Sequence, residues 1–328
     1  MPQPTFNIYL EGSRTPLAQT VRIEQGMKQI GVHFRKEGGL SRDYIAETIV
    51  LVDDPCCADL IYLNNPPYDH ILNLRNSGKL RTDVKIIFNV LDLPLHLLPS
   101  GYNPMEHYFS LKSADAVTVI SEYVRAQVQN YYNLSPYLIY NPIKDVNSDI
   151  RQSNKRIYPY NYFKAMIVGR AADPNKHNLD ISIPALQMAG FTEDQVVVVG
   201  GENVGWGTTW GIVDDETLNQ LYNHVDYVMI SSWLEGLCLP CFEAMLCGAI
   251  PIITHSLSTA QEFNIPIAWQ CYPSAHAVAY RLKQLEDNPE LRQLERELAM
   301  GLGKCIEPKL NKMAVAERIL NVYDQICS

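Results

Sequence analysis

Residues Ser231–Ile253 read SSWLEGLCLPCFEAMLCGAIPII, and the rest of the chain can be understood as scaffolding around them. Just before them, Val225–Ile230 is a short apolar run of the kind that forms a buried parallel strand. Pro240 occupies the expected first position of a helix, where a missing N–H is harmless. Cys241–Cys247 is apolar and favours a helix, Gly248 is placed to cap it, and Ala249–Thr254 predicts a second buried strand. The unit is thus strand, loop, short helix, strand. It carries two carboxylates, Glu235 and Glu243. On one continuous helix their spacing would set them about 80° apart. With Pro240 between them, Glu235 falls in the loop and Glu243 in the first helical turn. Both can then face the crevice at the carboxyl end of the strand, where open α/β sheets hold ligands. An acidic pair beside a helix N-terminus suits recognition of a polyol, since each carboxylate accepts hydroxyl hydrogen bonds.

The phrase Glu235-Gly-Leu-Cys-Leu-Pro-Cys-Phe-Glu243-Ala-Met-Leu-Cys-Gly-Ala-Ile-Pro-Ile resembles the E-x7-E segment of retaining GT-B glycosyltransferases, especially the GT4 family. E-x7-E alone is a weak pattern; followed by Ala-Met and Cys-Gly-x-x-Pro it is a strong one. Upstream, Ala114–Ser121 is similar to the last part of the N-terminal domain in GT4 proteins, where the chain then enters the linker through a phrase like Ile139-Tyr140-Asn141-Pro142. Recognisable motifs run from about Ala114 to Ile253; the first hundred residues agree only in general layout.

The bulk properties bound the alternatives. A chain of 328 residues suits two domains of ordinary size, each able to bury a core. Its 47% hydrophobic and 19% charged residues are those of a globular protein, and no run approaches the apolar length of a membrane span. The N-terminus MPQPTFNIYL has no basic region followed by an apolar stretch, so a cytoplasmic location is the expectation. A formal charge of −9 argues against nucleic acid as a routine partner, because phosphate neutralisation needs a basic face. Eight cysteines are present. Cys238-Leu-Pro-Cys241 formally matches a redox or zinc half-site, but no second pair of ligands stands at comparable spacing, which favours buried structural thiols.

The N-terminal half alternates strands with helical stretches, as a doubly wound sheet would. Phe6–Leu10, Leu60–Leu63, Lys85–Val90 and Ala116–Ile120 predict strands. Asn141–Tyr160, rich in proline, asparagine and serine, is the best boundary. A second series follows: strand Phe163–Val168, Gly169-Arg170, a polar loop, a helix, strand Val196–Val199, a Gly/Trp-rich loop over Glu202–Gly211, and helix Asp215–Asn223 capped by Asp214 or Asp215. Met313–Ile326 has helical periodicity. The expected organisation is residues 1–150 as an acceptor-binding domain, 151–312 as a nucleotide-sugar-binding domain, and 313–328 as a helix crossing back to the first. The fold class that the resemblance implies is α/β, with two Rossmann-like domains facing a central cleft.

Val168-Gly169-Arg170-Ala-Ala-Asp173-Pro-Asn175-Lys176 sets two cations after the first strand of the second domain. GT4 proteins show a similar Gly-Arg followed by Lys, and the resemblance implies that Arg170 and Lys176 hold the donor diphosphate. Fixed cations stabilise the charge that grows on a departing β-phosphate. The family commonly has Gly after this Lys, whereas here it is His177. The resemblance further implies that Glu235 meets the donor sugar hydroxyls, with the amides of Gly236 and Leu237 adding contacts, and that Glu243 meets the ribose. Gly12, in the turn after the first strand, is a position-based donor-binding candidate. A His-Asp pair common in relatives is here Leu91-Asp92, so its histidine is missing. No Asp-x-Asp occurs in the chain, which fits a site without metal and without a cofactor.

The expected reaction moves a glycosyl group from a UDP-, GDP- or ADP-sugar to an acceptor hydroxyl with retention. The acceptor is a glycan, a lipid-linked glycan (which would bring a peripheral membrane contact), a small molecule or, least favoured, a modified nucleobase. Three alternatives stand beside it: an epimerase or hydrolase of the same fold, a dinucleotide-dependent oxidoreductase suggested by Val196–Gly201, and a sugar-nucleotide-binding regulator without turnover. Gly200-Gly201-Glu-Asn-Val-Gly205 is not G-x-G-x-x-G, which weakens the oxidoreductase.

Overall fold

The computed structural model describes residues 5–10, 18–36, 48–64, 69–91, 103–146, 163–200, 203–233, 235–254 and 258–328. The chain divides into two units, Met1–Pro142 with Lys309–Ser328, and Ile143–Pro308. Each is built on a six-stranded sheet whose strands pair in parallel.

In the first unit the strands are β1 (Thr5–Leu10), β2 (Thr48–Leu51), β3 (Leu60–Asn64), β4 (Lys85–Val90), β5 (Ala116–Val119) and β6 (Tyr137–Leu138), in the order β2-β1-β3-β4-β5-β6. Helix α1 spans Ala18–Lys36; α2 is Asp69–Asn76, α3 Pro104–Ser113 and α4 Glu122–Tyr132. Strand β3 is buried along its whole length, as a parallel strand covered on both faces must be. Asn64, Asn89 and Thr118 lie inside the sheet and satisfy one another: Asn89 Nδ2 donates to Asn64 Oδ1 at 2.9 Å and Thr118 Oγ1 to Asn89 Oδ1 at 2.9 Å.

The last helix belongs to this unit. Val315, Ile319 and Val322 recur at helical spacing and join Ile23, Met27 and Ile30 of α1 in one core with Ile8, Leu60, Tyr62 and Ile87. Gly26 is where the two backbones meet: a Cβ there would stand 2.2 Å from the Lys312 carbonyl oxygen. Gly26→Ala should therefore destabilise the protein by about 2 kcal/mol, although helix propensity alone would make alanine stabilising by about 1 kcal/mol. A urea titration decides the sign, and a stabilised variant would contradict this packing.

The second unit orders its strands β12-β11-β10-β7-β8-β9: β7 (Ala165–Val168), β8 (Val196–Val199), β9 (Thr208–Gly211), β10 (Tyr227–Ile230), β11 (Ile250–Thr254) and β12 (Gln270–Cys271). Its helices are α5 (Ile183–Met188), α6 (Asp215–His224), α7 (Leu239–Leu246), α8 (Ser258–Glu262), α9 (Ala275–Asp287) and α10 (Pro289–Leu310), followed by α11 (Lys312–Cys327) of the first unit. The sheet grows outward in both directions from β7, so the strand order reverses between β7 and β10. Ala165, Ile167, Val196, Val198, Tyr227, Met229, Ile250 and Ile252 alternate onto one face and pack against Leu186, Leu282 and Leu285.

Three readings need correction. Val225 is not in β10; it ends α6, giving its N–H to Leu221 O at 3.0 Å. Helix α7 begins at Leu239, so Pro240 is its second residue and Glu243 its fifth, beyond the first turn. Strand β9 lies inside the segment read as a loop. Its Thr-Thr-Trp run is flanked by Gly207 and Gly211, both at positive φ, and flanking glycines mask a short edge strand.

Candidate functional site

The parallel pairing of β7 with β10 brings the loops after these two strands together at their carboxyl ends, where the strand order reverses. Open α/β sheets bind ligands at such a point. After β7, Gly169 turns the chain at φ +105 and donates its N–H to Val199 O at 2.8 Å. Arg170 projects outward, its side chain 77% exposed, with its guanidinium 3.1 Å from Asp173 Oδ2. Asp173 also caps the single 3-10 turn Pro174–Lys176, accepting from the Asn175 N–H at 3.0 Å. Lys176 closes that turn. His177 follows at φ +52, a left-handed conformation that favours glycine, and the chain enters a π turn over Asn178–Ser182.

After β10, Ser231 Oγ donates to the Lys176 carbonyl at 2.7 Å and lies 2.7 Å from Ser182 Oγ. Because its one proton is used on the carbonyl, Ser231 accepts from Ser182. Ser232 Oγ donates to Glu235 Oε1 at 2.7 Å, and the same oxygen takes the Lys176 ammonium in an ion pair. Burial alone would lower the Lys176 pKa, but Glu235 beside it outweighs burial and raises it, while nearby Arg170 opposes. Lys176 and Glu235, distant in sequence, are thus side by side. Gly236 and Leu237 follow, both buried.

Glu243 is 2% exposed. Its Oε1 accepts from the Lys144 N–H at 3.2 Å and its Oε2 from the Tyr222 hydroxyl at 3.1 Å. These donors, not the first turn of α7, meet its charge, because the dipole effect fades within one turn. Gly12 and Asp92 lie outside the described residues, and nothing is assigned to them.

Cys238 and Cys241 are fully buried, and burial pushes both thiols well above the ordinary range, with the Glu235 charge adding to the effect. All eight cysteines are free of disulfides, and among the described residues no cluster of His, Cys, Asp and Glu could hold a metal ion. Cys238 and Cys241 are packed thiols, not activated nucleophiles. The glycines after β8 also find another role. The next element is β9, a strand, not the helix N-terminus that a dinucleotide fingerprint requires.

Sequence reasoning overlooked Ser182, Ser231, Ser232, Tyr222 and Lys144. For Ser231 and Ser232 a signal was available, since they stand directly at the end of a buried strand. Tyr222 and Lys144 gave none.

No family model matches the sequence, and no curated protein matches it significantly. Solved structures do match. The sucrose-phosphate synthase of Thermosynechococcus elongatus superposes with a TM-score of 0.72 at 16% identity, over 98% of this chain and 99% of that one. Anabaena HepE, solved with UDP and glucose, gives 0.68 at 13% identity over 98% and 99%. Staphylococcus aureus TarM, solved with UDP, fondaparinux and alpha-GlcNAc-glycerol, gives 0.60 at 14% over 81% and 55%. At these identities the likeness establishes the fold: two parallel six-stranded α/β sheets flanked by helices, as in GT-B glycosyltransferases.

Proposed function

We propose that the second unit holds a nucleoside diphosphate sugar and that the protein transfers its glycosyl group to an acceptor hydroxyl, with retention and without a metal ion, as a GT4-type enzyme. The observation that carries this is the Lys176–Glu235 pair at the strand-order reversal between β7 and β10. A cation for a diphosphate and an acceptor for sugar hydroxyls stand together where the fold collects ligands. Fold neighbours that were solved with UDP, UDP-glucose or alpha-GlcNAc-glycerol support the substrate class.

In this reading the bond between the anomeric carbon and the β-phosphate oxygen breaks, and its electron pair stays on the phosphate. Lys176 and Arg170 stabilise the growing charge; Arg170 must turn from Asp173 to do so. Glu235 and the Gly236 and Leu237 amides hold the sugar. The acceptor oxygen attacks the same face of the oxocarbenium-like species, and its proton passes to the departing phosphate oxygen. Incubation with UDP-, GDP- and ADP-sugars in EDTA, with candidate acceptors present, should release a nucleoside diphosphate from one of them. Complete loss in EDTA with rescue by Mn²⁺ would overturn the metal-free part. Conversion of the sugar nucleotide without any acceptor would favour the epimerase or hydrolase.

Glu243 takes the ribose in this scheme, since a carboxylate has about four acceptor sites, enough for protein donors and ribose hydroxyls together. Glu243→Ala should weaken nucleotide binding about ten- to a hundredfold. Titration calorimetry with a 2′,3′-dideoxy nucleotide should show a much smaller loss. Equal losses with both ligands would mean that Glu243 only ties α7 to Tyr222 and Lys144.

A further inference from the structure

The two loops that carry Lys176 and Glu235 also meet at a contact which the proposed chemistry does not use. His177, next to Lys176, stacks on Trp233, two residues before Glu235: the ring centroids are 4.2 Å apart and the planes 24° from parallel. His177 Nδ1 lies 2.9 Å from Asp180 Oδ2, which holds the imidazole at its edge. Histidine holds this place at φ +52, although glycine would fit the backbone without strain. Trp233 stays 47% exposed, with one face of its indole backed by the imidazole.

A pyranose presents hydroxyls at its edge and C–H groups on its face. Recognition of such a ring calls for hydrogen-bonding groups at the edge and a flat apolar surface beneath the face. Glu235 and Lys176 supply the first, and the His177-backed indole is the one exposed aromatic plane on the same pair of loops among the described residues. We infer that Trp233 is a specificity-determining platform for the donor's sugar, selecting a hexopyranose with a continuous C–H face, and that His177 and Asp180 are positioning residues that hold the indole. The inference rests on the donor reading above and adds a residue that, with Glu235, distinguishes a sugar nucleotide from its bare diphosphate.

Titration calorimetry with UDP-, GDP- and ADP-glucose, each beside its free nucleoside diphosphate, tests it on the full chain. For the nucleotide that the wild type prefers, Trp233→Ala should weaken the sugar nucleotide about tenfold, equivalent to about 1.4 kcal/mol. Binding of the free diphosphate should stay within about twofold. Trp233→Phe should keep most of the affinity, and His177→Gly, which suits the backbone, should give an intermediate loss. Equal losses on both ligands would place the indole against the base or in the fold, and no loss would leave it idle; either overturns the platform while leaving the donor reading intact. Failure of the wild type to bind any of the six ligands would overturn both.

Discussion

Lys176→Ala is expected to lower kcat about a hundredfold, with a smaller effect on donor affinity. In the ground state a diphosphate already carries charge, but the β-phosphate gains more as the sugar leaves. A cation beside it therefore stabilises the transition state more than the complex. Lys176 is built for a fixed position: its carbonyl is held by Ser231, its turn is capped by Asp173, and its ammonium rests on Glu235. Little reorganisation is then needed when charge develops. Arg170→Ala should lower kcat as well, and Arg170→Lys should restore only part, because a point charge cannot make the paired bonds of a guanidinium. A solvated basic loop would instead leave turnover near that of the wild type and give a salt-screened change in affinity. Steady-state kinetics on folded variants separate the two.

Gly200→Ala should cost about 3 kcal/mol of stability or more. Gly200 follows β8 at φ +145, where a side chain is strained, and its Cβ would stand 1.8 Å from the Gly169 carbonyl oxygen. That neighbour is backbone and cannot rotate away. Gly200 also donates its N–H to Gly211 O at 2.8 Å, and Gly169 is tied to Val199 O, so the clash falls where β7, β8 and β9 are locked together. Any shift that relieves it moves Gly169-Arg170. The variant should therefore lose donor binding along with stability. Denaturant titration showing a loss under about 1 kcal/mol would mean that this crossing is loose.

The unit around α7 was legible because its signals are local: continuous apolar strands, Pro240 near the helix start and Gly248 after its end. The boundary errors share that origin. Pro240 is tolerated at either of the first two helical positions, and only the helix's actual start at Leu239 moves Glu243 beyond the first turn. The burial of Glu243 could not be read from its own segment, since it depends on Tyr222 and Lys144, contributed from elsewhere in the unit. Strand β9 was hidden because flanking glycines outweigh three strand-forming residues in any local reading. The stack of His177 on Trp233 was hidden for another reason: it requires knowing that β7 and β10 are neighbours, which is a property of the sheet order.

The central claim, that the Lys176–Glu235 site holds a nucleoside diphosphate sugar without a metal, is tested most directly by thermal unfolding in EDTA. A ligand at a hundred times its Kd stabilises the native state by about 2.7 kcal/mol, enough to raise the midpoint by several degrees. One of UDP-, GDP- or ADP-sugars should produce this rise in the wild type, and Lys176→Ala should clearly reduce it at the same concentration, a tenfold weaker Kd removing about half. No rise with any of the three, or an equal rise in both proteins, would contradict the account.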